Sequence, residues 1–401
     1  MQKPSLRRLH PNVWVVTATS LLTDISSEMI VYLIPLFLAN VLGVRTAVIG
    51  LIDGVAETTA SLLKIYSGAL SDKLGKRKWL TVAGYSLSTL AKPFLYIANS
   101  WGWVLGVRFA DRVGKGIRTA PRDALVADSI DSTQRGFAFG LHRAGDTLGA
   151  FLGLAGAAAI VGLTQSQADL LAPSTFRLAV LISVIPAVLA VIVLALGARD
   201  VAKANPSAKP TLSLKGFDKR FKIFLVIIVL FTLGNSSDSF IVLRGQERGL
   251  NVLQVILMVM TFNFIYAILA GPLGALSDKI GRRRLILFGW LAYGLVYLGL
   301  AFSQTGWQVW ALFGLYGIYY AATEGVARAL IADLVPESLR GTAYGLYAAA
   351  VGLTALPASV IAGVLWQGVG SWPGFGAPAP FAFGAAMSLL AGILFWRLVK
   401  A

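Results

Sequence analysis

Long apolar segments recur along the whole of this chain of 401 residues. Roughly twelve of them approach the 20 or so apolar residues that a helix needs to cross a bilayer. They lie near 13–40, 46–68, 80–98, 102–125, 137–163, 177–197, 222–245, 252–274, 285–303, 307–330, 342–367 and 380–399. The segments are too long, and alternate too little, for the strands of a membrane barrel. Because backbone donors must be paired in lipid, we predict an all-α polytopic membrane protein with twelve transmembrane helices.

Basic residues are placed unevenly along the chain, which has a formal net charge of +16. They crowd the amino terminus, the segments 73–78, 199–222 and 279–284, and the tail, whereas 99–102, 303–306 and 366–379 contain no Lys or Arg. By the positive-inside rule we expect both termini and the central loop in the cytoplasm, with the protein in a bacterial inner membrane. No basic soluble module remains to bind nucleic acid.

The chain contains no cysteine and only two histidines. Disulfides and thiolate metal sites are therefore excluded, and we expect neither a metal nor a cofactor. GKGIRT at 114–119 lacks the order of a phosphate-binding loop and lies inside an apolar segment. We predict that the protein is not an enzyme.

Two loops in opposite halves of the chain are nearly identical, GALSDKLGKRK at 68–78 and GALSDKIGRRR at 274–284. ALVAD at 124–128 matches ALIAD at 329–333, RGFAFGL at 135–141 matches RGTAYGL at 340–346, and DISSE at 24–28 aligns with NSSD at 235–238. Such co-linear matches indicate a duplicated unit of six helices. We predict an amino-terminal bundle (1–197), a polar central loop (198–221) and a carboxyl-terminal bundle (222–401).

The repeated loop resembles the signature G-x-L-[SA]-D-[RK]-x-G-[RK]-[RK] of the major facilitator superfamily of transporters. The residues that carry it are Gly68, Leu70, Asp72, Gly75, Lys76 and Arg77, and Gly274, Leu276, Asp278, Gly281, Arg282 and Arg283. The resemblance covers the whole chain and implies the major facilitator fold and transport of a small molecule by alternating access. We expect the protein to be a monomer. In that family the loop is thought to steady the outward-facing state, and it carries no information about substrate.

Ionisable residues at membrane depth are costly, so each is a candidate for function. Asp24 and Glu28 lie one turn apart on the first span, and we interpret them as proton carriers or as partners of a neighbouring cation. On the second span Glu57 and Lys64 are candidates for the substrate cavity, and Asp53 is expected to be solvated near the outer face.

The fourth span carries a basic stripe of Arg108, Arg112, Lys115 and Arg122 that cannot face lipid. Arg112, Gly116 and Ile117 resemble a signature of proton-coupled facilitators, in which the arginine is implicated in proton transfer. Because such an arginine needs an acidic partner, pairing with Asp24 or Glu28 is equally compatible with the pattern.

The fifth span brings His142 and Arg143 within one turn of Asp146, a further proton-coupling candidate. GDTLGAFLG at 145–153 resembles the antiporter signature G-x-x-x-G-P-x-x-G, with Ala150 in place of the proline. Small residues at this spacing also serve plain helix packing.

The carboxyl-terminal half carries fewer charges. Its cavity candidates are Asn235, Asp238, Asn263, Tyr320, Glu324 and Arg328. Glu324 and Arg328 are spaced to pair with each other, and the tyrosines at 316, 319, 320, 344 and 347 either contact substrate or pack the bundle.

We therefore predict a proton-coupled secondary transporter, an exporter of the drug:proton antiporter type. Its partners are a small-molecule substrate, protons and the bilayer. The basic fourth span keeps open a carrier of an anionic or metal-chelated solute, and a lipid flippase of the same fold is a further alternative.

Overall fold

The computed structural model describes residues 9–130, 134–201, 214–336 and 339–399, which form helices and no strand. The helices are α1 (Pro11–Val31), α2 (Leu33–Leu36), α3 (Thr46–Leu74), α4 (Lys78–Ala91), α5 (Trp101–Asp128), α6 (Arg135–Gln165), α7 (Pro173–Gly197), α8 (Lys219–Gly234), α9 (Ser239–Glu247), α10 (Val252–Ile280), α11 (Arg282–Phe302), α12 (Gly306–Leu334), α13 (Arg340–Gln367) and α14 (Pro378–Leu398). A π-turn at Phe37–Val41 extends α2, and a 3-10 turn at Lys92–Leu95 extends α4.

When α2 is counted as the continuation of α1, and α9 as the continuation of α8, the described helices make twelve segments that coincide with the predicted spans. The predicted fold class is therefore confirmed. In the part of the chain that the structure describes, nine segments are long and apolar enough to cross a membrane. The other three are the α4 segment, α5 and α12; α4 is short, and α5 carries many charges. Half of the predicted central loop, residues 202–213, lies outside the described residues.

Glycine ends the helix in both copies of the repeated loop. Gly75 follows α3 with φ of 62°, and Gly281 follows α10 with φ of 94°. Glycine reaches these positive φ values without the steric cost that a Cβ imposes, which makes it the common residue just after a helix. The amide of Gly75 still donates to Ser71 O, and that of Gly281 to Ser277 O. The duplicated sequence thus gives the same turn twice.

Contacts divide the chain into two compact units. The first unit comprises Met1–Phe37, Thr59–Gln165 and Ala172–Lys209. In it α1 packs along α6 and α7, and α4 packs along α5 and α7. Near one end of these helices, Leu9, Val13, Leu125 and Ala198 form part of an apolar cluster.

The second unit comprises Leu38–Thr58, Ser166–Leu171 and Pro210–Ala401, so it includes the first half of α3. In it α12 packs along α10 and α11, and α14 packs along α8 and α11. Its core is rich in stacked aromatic rings; Tyr293 and Tyr297 have centroids 4.1 Å apart, and Phe231 and Trp290 4.8 Å apart.

Apolar side chains cover much of the outside of both units. Leu163 is 89% exposed, Leu196 82% and Phe302 72%. Exposed tryptophans lie near helix ends: Trp101, Trp103, Trp307 and Trp372 beside the loops that lack basic residues, and Trp14, Trp79 and Trp396 near the opposite ends of their bundles' helices. An apolar surface of this extent with tryptophan near the helix ends is typical of a protein in a bilayer.

Candidate functional site

Helix α5 turns its charged face into the first unit. Arg108, Arg112 and Arg118 are 7%, 9% and 7% exposed, whereas Phe109 on the opposite face is 47% exposed. Close packing with α4 fixes this orientation, since a Cβ on Gly114 would lie 2.5 Å from Gly84 O. Arg108 and Arg112 of the predicted stripe are therefore buried in the first unit, together with Arg118, which the predicted stripe did not include.

The arginines of this stripe differ in their neighbours. Arg122 Nη2 lies 2.8 Å from Asp123 Oδ1, and Arg122 Nη1 donates to Ser20 Oγ of α1 at 3.1 Å. Arg112 Nε lies 3.8 Å from Asp111 Oδ2, and Lys115 is exposed. The guanidinium of Arg118 lies over the Tyr85 ring, 4.3 Å from its centroid.

Asp24 and Glu28 are half-buried on α1 where it meets α6. The glycines of the antiporter-like segment make this contact. A Cβ on Gly149 would lie 3.1 Å from Asp24 Cβ, and one on Gly153 would lie 3.0 Å from Glu28 Cβ. Likewise, a Cβ on Gly145 would lie 2.7 Å from the methyl carbon of Thr17. These small residues therefore bring the acidic pair against the helix that carries Asp146.

Several charges act on the acidic pair at once. Asp24 interacts electrostatically with Asp146 and with the cations Lys115, Arg122 and Arg118. Glu28 interacts with Asp24 and with Lys115, Arg112 and Lys92. The structure thus groups three predicted proton-coupling residues, Asp24, Glu28 and Asp146, in one electrostatic network with the stripe of α5.

Lys92 is a further member of this network that the sequence reasoning missed. It is 4% exposed in the 3-10 turn after α4. Its Nζ donates to Ser26 Oγ and, at 3.2 Å, to Ser27 Oγ of α1. Ser26 in turn donates to Ser183 O of α7 at 2.6 Å. A lysine inside an apolar segment was the signal that would have found it.

His142 and Asp146 are adjacent on α6 but are not hydrogen-bonded to each other. His142 is 5% exposed, and its Nε2 lies 3.9 Å from Asp146 Oδ2. Neither ring nitrogen has a hydrogen-bond partner among the described residues. Arg143, next to His142, points to the exposed side of α6.

In the second unit, the seventh span is interrupted. Helix α8 ends at Gly234 and α9 begins at Ser239, so the predicted NSSD segment forms the break. Two hydroxyls at the break, those of Ser237 and Ser239, donate to Asp53 Oδ2 at 2.8 and 2.5 Å. Asp53 is 6% exposed. The expectation that Asp53 is solvated is therefore wrong, because the break supplies donors that make its burial possible.

Asp238 closes the break as the residue before α9. It is half-buried, and it interacts electrostatically with Asp53 and Glu57. Glu57 and Lys64 are both exposed on α3.

Asn235 begins the break and joins it to α12. Its Nδ2 donates to Tyr319 Oη, and Tyr316 Oη donates to its Oδ1, each at 3.2 Å. Tyr316 and Tyr319 are 0% and 6% exposed and stack within the aromatic core of the second unit. Both tyrosines therefore belong to the packed core of the second unit.

The remaining candidates of the second unit lie along α10 and α12. Tyr266 Oη donates to Glu324 Oε2 at 2.6 Å, and Arg328 Nη2 lies 3.8 Å from Glu324 Oε1. Tyr320 is half-buried and meets Tyr266 edge-on, with centroids 6.0 Å apart. Asn263 bonds to its own helix at Val259 O, 3.1 Å away.

The first repeated loop is organised around Arg77, which is 4% exposed. Its guanidinium donates to Asp128 Oδ2 at 2.8 Å, Asp72 Oδ1 at 2.9 Å and Ser71 Oγ at 2.7 Å. Burial lowers the pKa of Arg77, the hydrogen bonds to Asp128 and Asp72 raise it, and the net effect is a raised pKa. Gly68 of the same loop signature lies close to α5, since a Cβ added at Gly68 would lie 3.3 Å from Ala120 Cβ.

In the second repeated loop similar contacts are made, in a more open form, by Arg282, which stands at the position of Lys76 in the first loop. Arg282 pairs with Asp333 at the end of α12, lies 3.5 Å from Asp278, and donates to Ala329 O at 2.6 Å. Arg282 is 26% exposed at its side chain, and Gly274 has open space where a Cβ would lie.

A family model described as the Major Facilitator Superfamily matches residues 16–243 and 223–401. The chain belongs to this superfamily. An uncharacterized transporter of the superfamily from Methanocaldococcus jannaschii is 36% identical over 394 residues, which are 97% of this chain and 95% of the relative. The multi-drug resistance efflux pump PmrA of Streptococcus pneumoniae is 24% identical over 336 residues and covers 82% of each chain.

Solved structures of facilitator proteins have the same fold. The nucleoside transporter NupG superposes with a TM-score of 0.79 at 13% identity, covering 97% of this chain and 99% of NupG. At this identity the likeness concerns the fold alone. The family and the twelve helical segments together establish an integral membrane transporter, and they imply a small-molecule substrate.

Proposed function

We propose that the protein is a proton-coupled secondary transporter that exports a small molecule by alternating access. Protons bind at Asp24 and Glu28, and Asp146 and Arg112 adjust the charge around them. The observation that carries this proposal is the grouping of the three carboxylates with several cations inside the first unit.

The chemistry of this group suits proton exchange. A buried carboxylate is stable when ionised only if positive charge is nearby, and several cations share that task for Asp24. Movement of Lys115, Arg118 or Arg122 relative to α1 would change the balance and favour uptake or release of a proton. Carboxylates held by one fixed partner would lack this freedom.

Two further observations support export and the orientation in the membrane. The relative PmrA is named as an efflux pump, and the acidic pair lets a cationic substrate compete with protons for the same site. The basic loops at 73–78 and 279–284 favour a cytoplasmic location for both termini. We place the boundary between the two six-helix halves in 198–221.

Proteoliposomes that contain a pH-sensitive dye test the proposal. Lipophilic cations, organic anions, metal chelates and sugars are added in turn to the wild type, Asp24→Asn and Glu28→Gln. The exposed Asp169→Asn serves as the matched control for loss of a carboxylate. We expect a cationic compound to drive proton flux in the wild type and the control but not in the two variants. Substrate flux without proton movement would refute proton coupling, and flux driven by anions would favour the alternative carrier.

A further inference from the structure

The first half of α3 touches α13 backbone to backbone within the second unit. A Cβ on Gly50 would lie 2.1 Å from Ser359 O, and one on Gly54 would lie 2.7 Å from Leu356 Cα. On the other side of the contact, a Cβ on Gly363 would lie 2.4 Å from Thr46 O. Glycines on both helices therefore remove the side chains that would keep them apart.

Hydrogen bonds extend along the same contact. The amide of Thr46 donates to Gln367 Oε1 at 2.8 Å, and the Thr46 hydroxyl donates to Gly363 O at 3.1 Å. Five residues after Asp53 on α3, Thr58 Oγ1 donates to Gly352 O at 2.6 Å. From Thr59 onward the same continuous helix belongs to the first unit. The glycine contacts and hydrogen bonds described here lie in the first half of α3.

Asp53 joins this contact to the break between α8 and α9. Its Oδ2 accepts from the Ser237 and Ser239 hydroxyls, and the amide of Ser237 donates to Ser359 Oγ of α13 at 3.3 Å. Both serines are free to face α3 because the helix is interrupted between Gly234 and Ser239. Three segments therefore meet at one buried carboxylate.

The duplicated serines make the position distinctive. In the first unit, the Ser26–Ser27 pair accepts hydrogen bonds from the cation Lys92. In the second unit, Ser237 of the aligned segment and Ser239, which follows that segment, donate to an anion, Asp53. Of the two serines that hold Asp53, only Ser237 has a serine counterpart in the repeat, Ser27, and the charge of the residue that the serines bind is opposite in the two units.

We propose that Asp53, Ser237 and Ser239 form a latch that holds this half of α3 closed and must open once in each transport cycle. The inference rests on the proposed alternating access, and it names the residues that govern one of its steps. A carboxylate suits a reversible contact because it is stable both when buried with two hydroxyl donors and when hydrated after separation. An alanine at position 53 would accept neither hydroxyl, so the closed form would lose these two hydrogen bonds.

The charges near the latch oppose closing. Glu57 lies one turn after Asp53 on α3. Asp238, in the break, interacts electrostatically with both Asp53 and Glu57. Helix α13 has a single charged residue, Arg340 at its first position, so it brings no cation near Ser359. The hydrogen bonds that Ser237 and Ser239 donate therefore oppose the repulsion between like charges. This repulsion limits the stability of the closed state.

The absence of cysteine from the natural chain allows a test without background. Thr46 is 5% exposed, so a cysteine placed there by Thr46→Cys is hidden while the latch is closed. The rate of its labelling by a membrane-impermeant maleimide is measured in vesicles. The measurement is then repeated after Asp53→Ala, or Ser237→Ala together with Ser239→Ala, has been added to the Thr46→Cys background. We expect each to raise the rate at least tenfold, and Asp53→Asn, which retains an acceptor, to raise it less.

Asp169→Ala, which removes an exposed carboxylate of the second unit, is the matched control and should leave the rate unchanged. Equal labelling rates in the wild-type background, Asp53→Ala and the double serine variant would overturn the latch. A disulfide between Thr46→Cys and Gln367→Cys should stop transport, and reduction should restore it. The labelling assay needs neither a proton gradient nor substrate. Unchanged labelling rates would therefore overturn the latch, and proton coupling would still be tested separately by the dye assay.

Discussion

The guanidinium of Arg77 lies 2.8 Å from Asp128, the last residue of α5, and so ties the loop after α3 to the end of another helix. The same arginine holds Asp72 of its own loop at 2.9 Å. In the second unit Arg282 reaches Asp333 near the end of α12. In both loops an arginine reaches the aspartate that ends the matching ALVAD or ALIAD segment, but Arg282 stands at the position of Lys76 and not of Arg77, and the two contacts differ in burial.

This difference predicts unequal effects of mutation. Arg77 is 4% exposed, and its partners Asp128 and Asp72 are 20% and 29% exposed. Removing one member of a buried ion pair leaves charge uncompensated, so Arg77→Ala should cost about 3 kcal/mol of unfolding free energy. Arg282→Ala should cost less than about 1 kcal/mol, because its partners are largely exposed. Thermal unfolding of the purified variants measures both, and equal losses would refute the distinction.

Asp200 predicts a second effect near the same loop. It follows α7, and its Oδ1 accepts from the amides of Arg77 and Lys78 at 2.7 and 2.8 Å, which caps the start of α4. Asp200→Ala should therefore cost about 1 kcal/mol, the usual value of a helix cap. Hydrogen exchange should become faster at these amides and in the first turn of α4. Asp218→Ala, which removes the cap of α8, should leave exchange in α4 unchanged.

The amino-acid sequence predicts the spans and the repeat well because both depend on local patterns. Long apolar runs specify each helix, and the glycines at 75 and 281 specify where two of them end. The polar NSSD segment likewise sits at the break of the seventh span. These features need no knowledge of which helices become neighbours.

The environment of single charged residues depends on residues far away in the chain. Asp53 is buried because Ser237 and Ser239 approach it from another helix, so its place on α3 alone gave the wrong expectation. Arg118 is held over Tyr85 by the contact of Gly84 with α5, and it was missed for the same reason. The period of α5 predicts which residues share a face, but the pairing of the helices decides what that face meets.

The α6 glycines give a third prediction, with a control on the same helix. A Cβ on Gly149 would lie 2.5 Å from Leu21 O of α1, so Gly149→Ala forces the two helices apart. We expect a loss of about 1–3 kcal/mol in unfolding free energy, as for other overpacked contacts. Gly140 has open space for a Cβ, so Gly140→Ala should leave the protein as stable or more stable. Similar unfolding temperatures for both variants would contradict the packing role of Gly149.

The distribution of basic residues predicts which loops face the cytoplasm, and single cysteines can report it in a chain that has none. Lys76 is exposed in a basic loop, and Ser371 is exposed in a loop without Lys or Arg. In intact cells an impermeant maleimide should label the Ser371→Cys variant directly, and Lys76→Cys only after permeabilisation, because basic loops are retained on the cytoplasmic side. The unmodified chain should give no signal. The reverse pattern of labelling would invert the orientation, and it would move the Asp53 latch from the outer half of the membrane to the inner half.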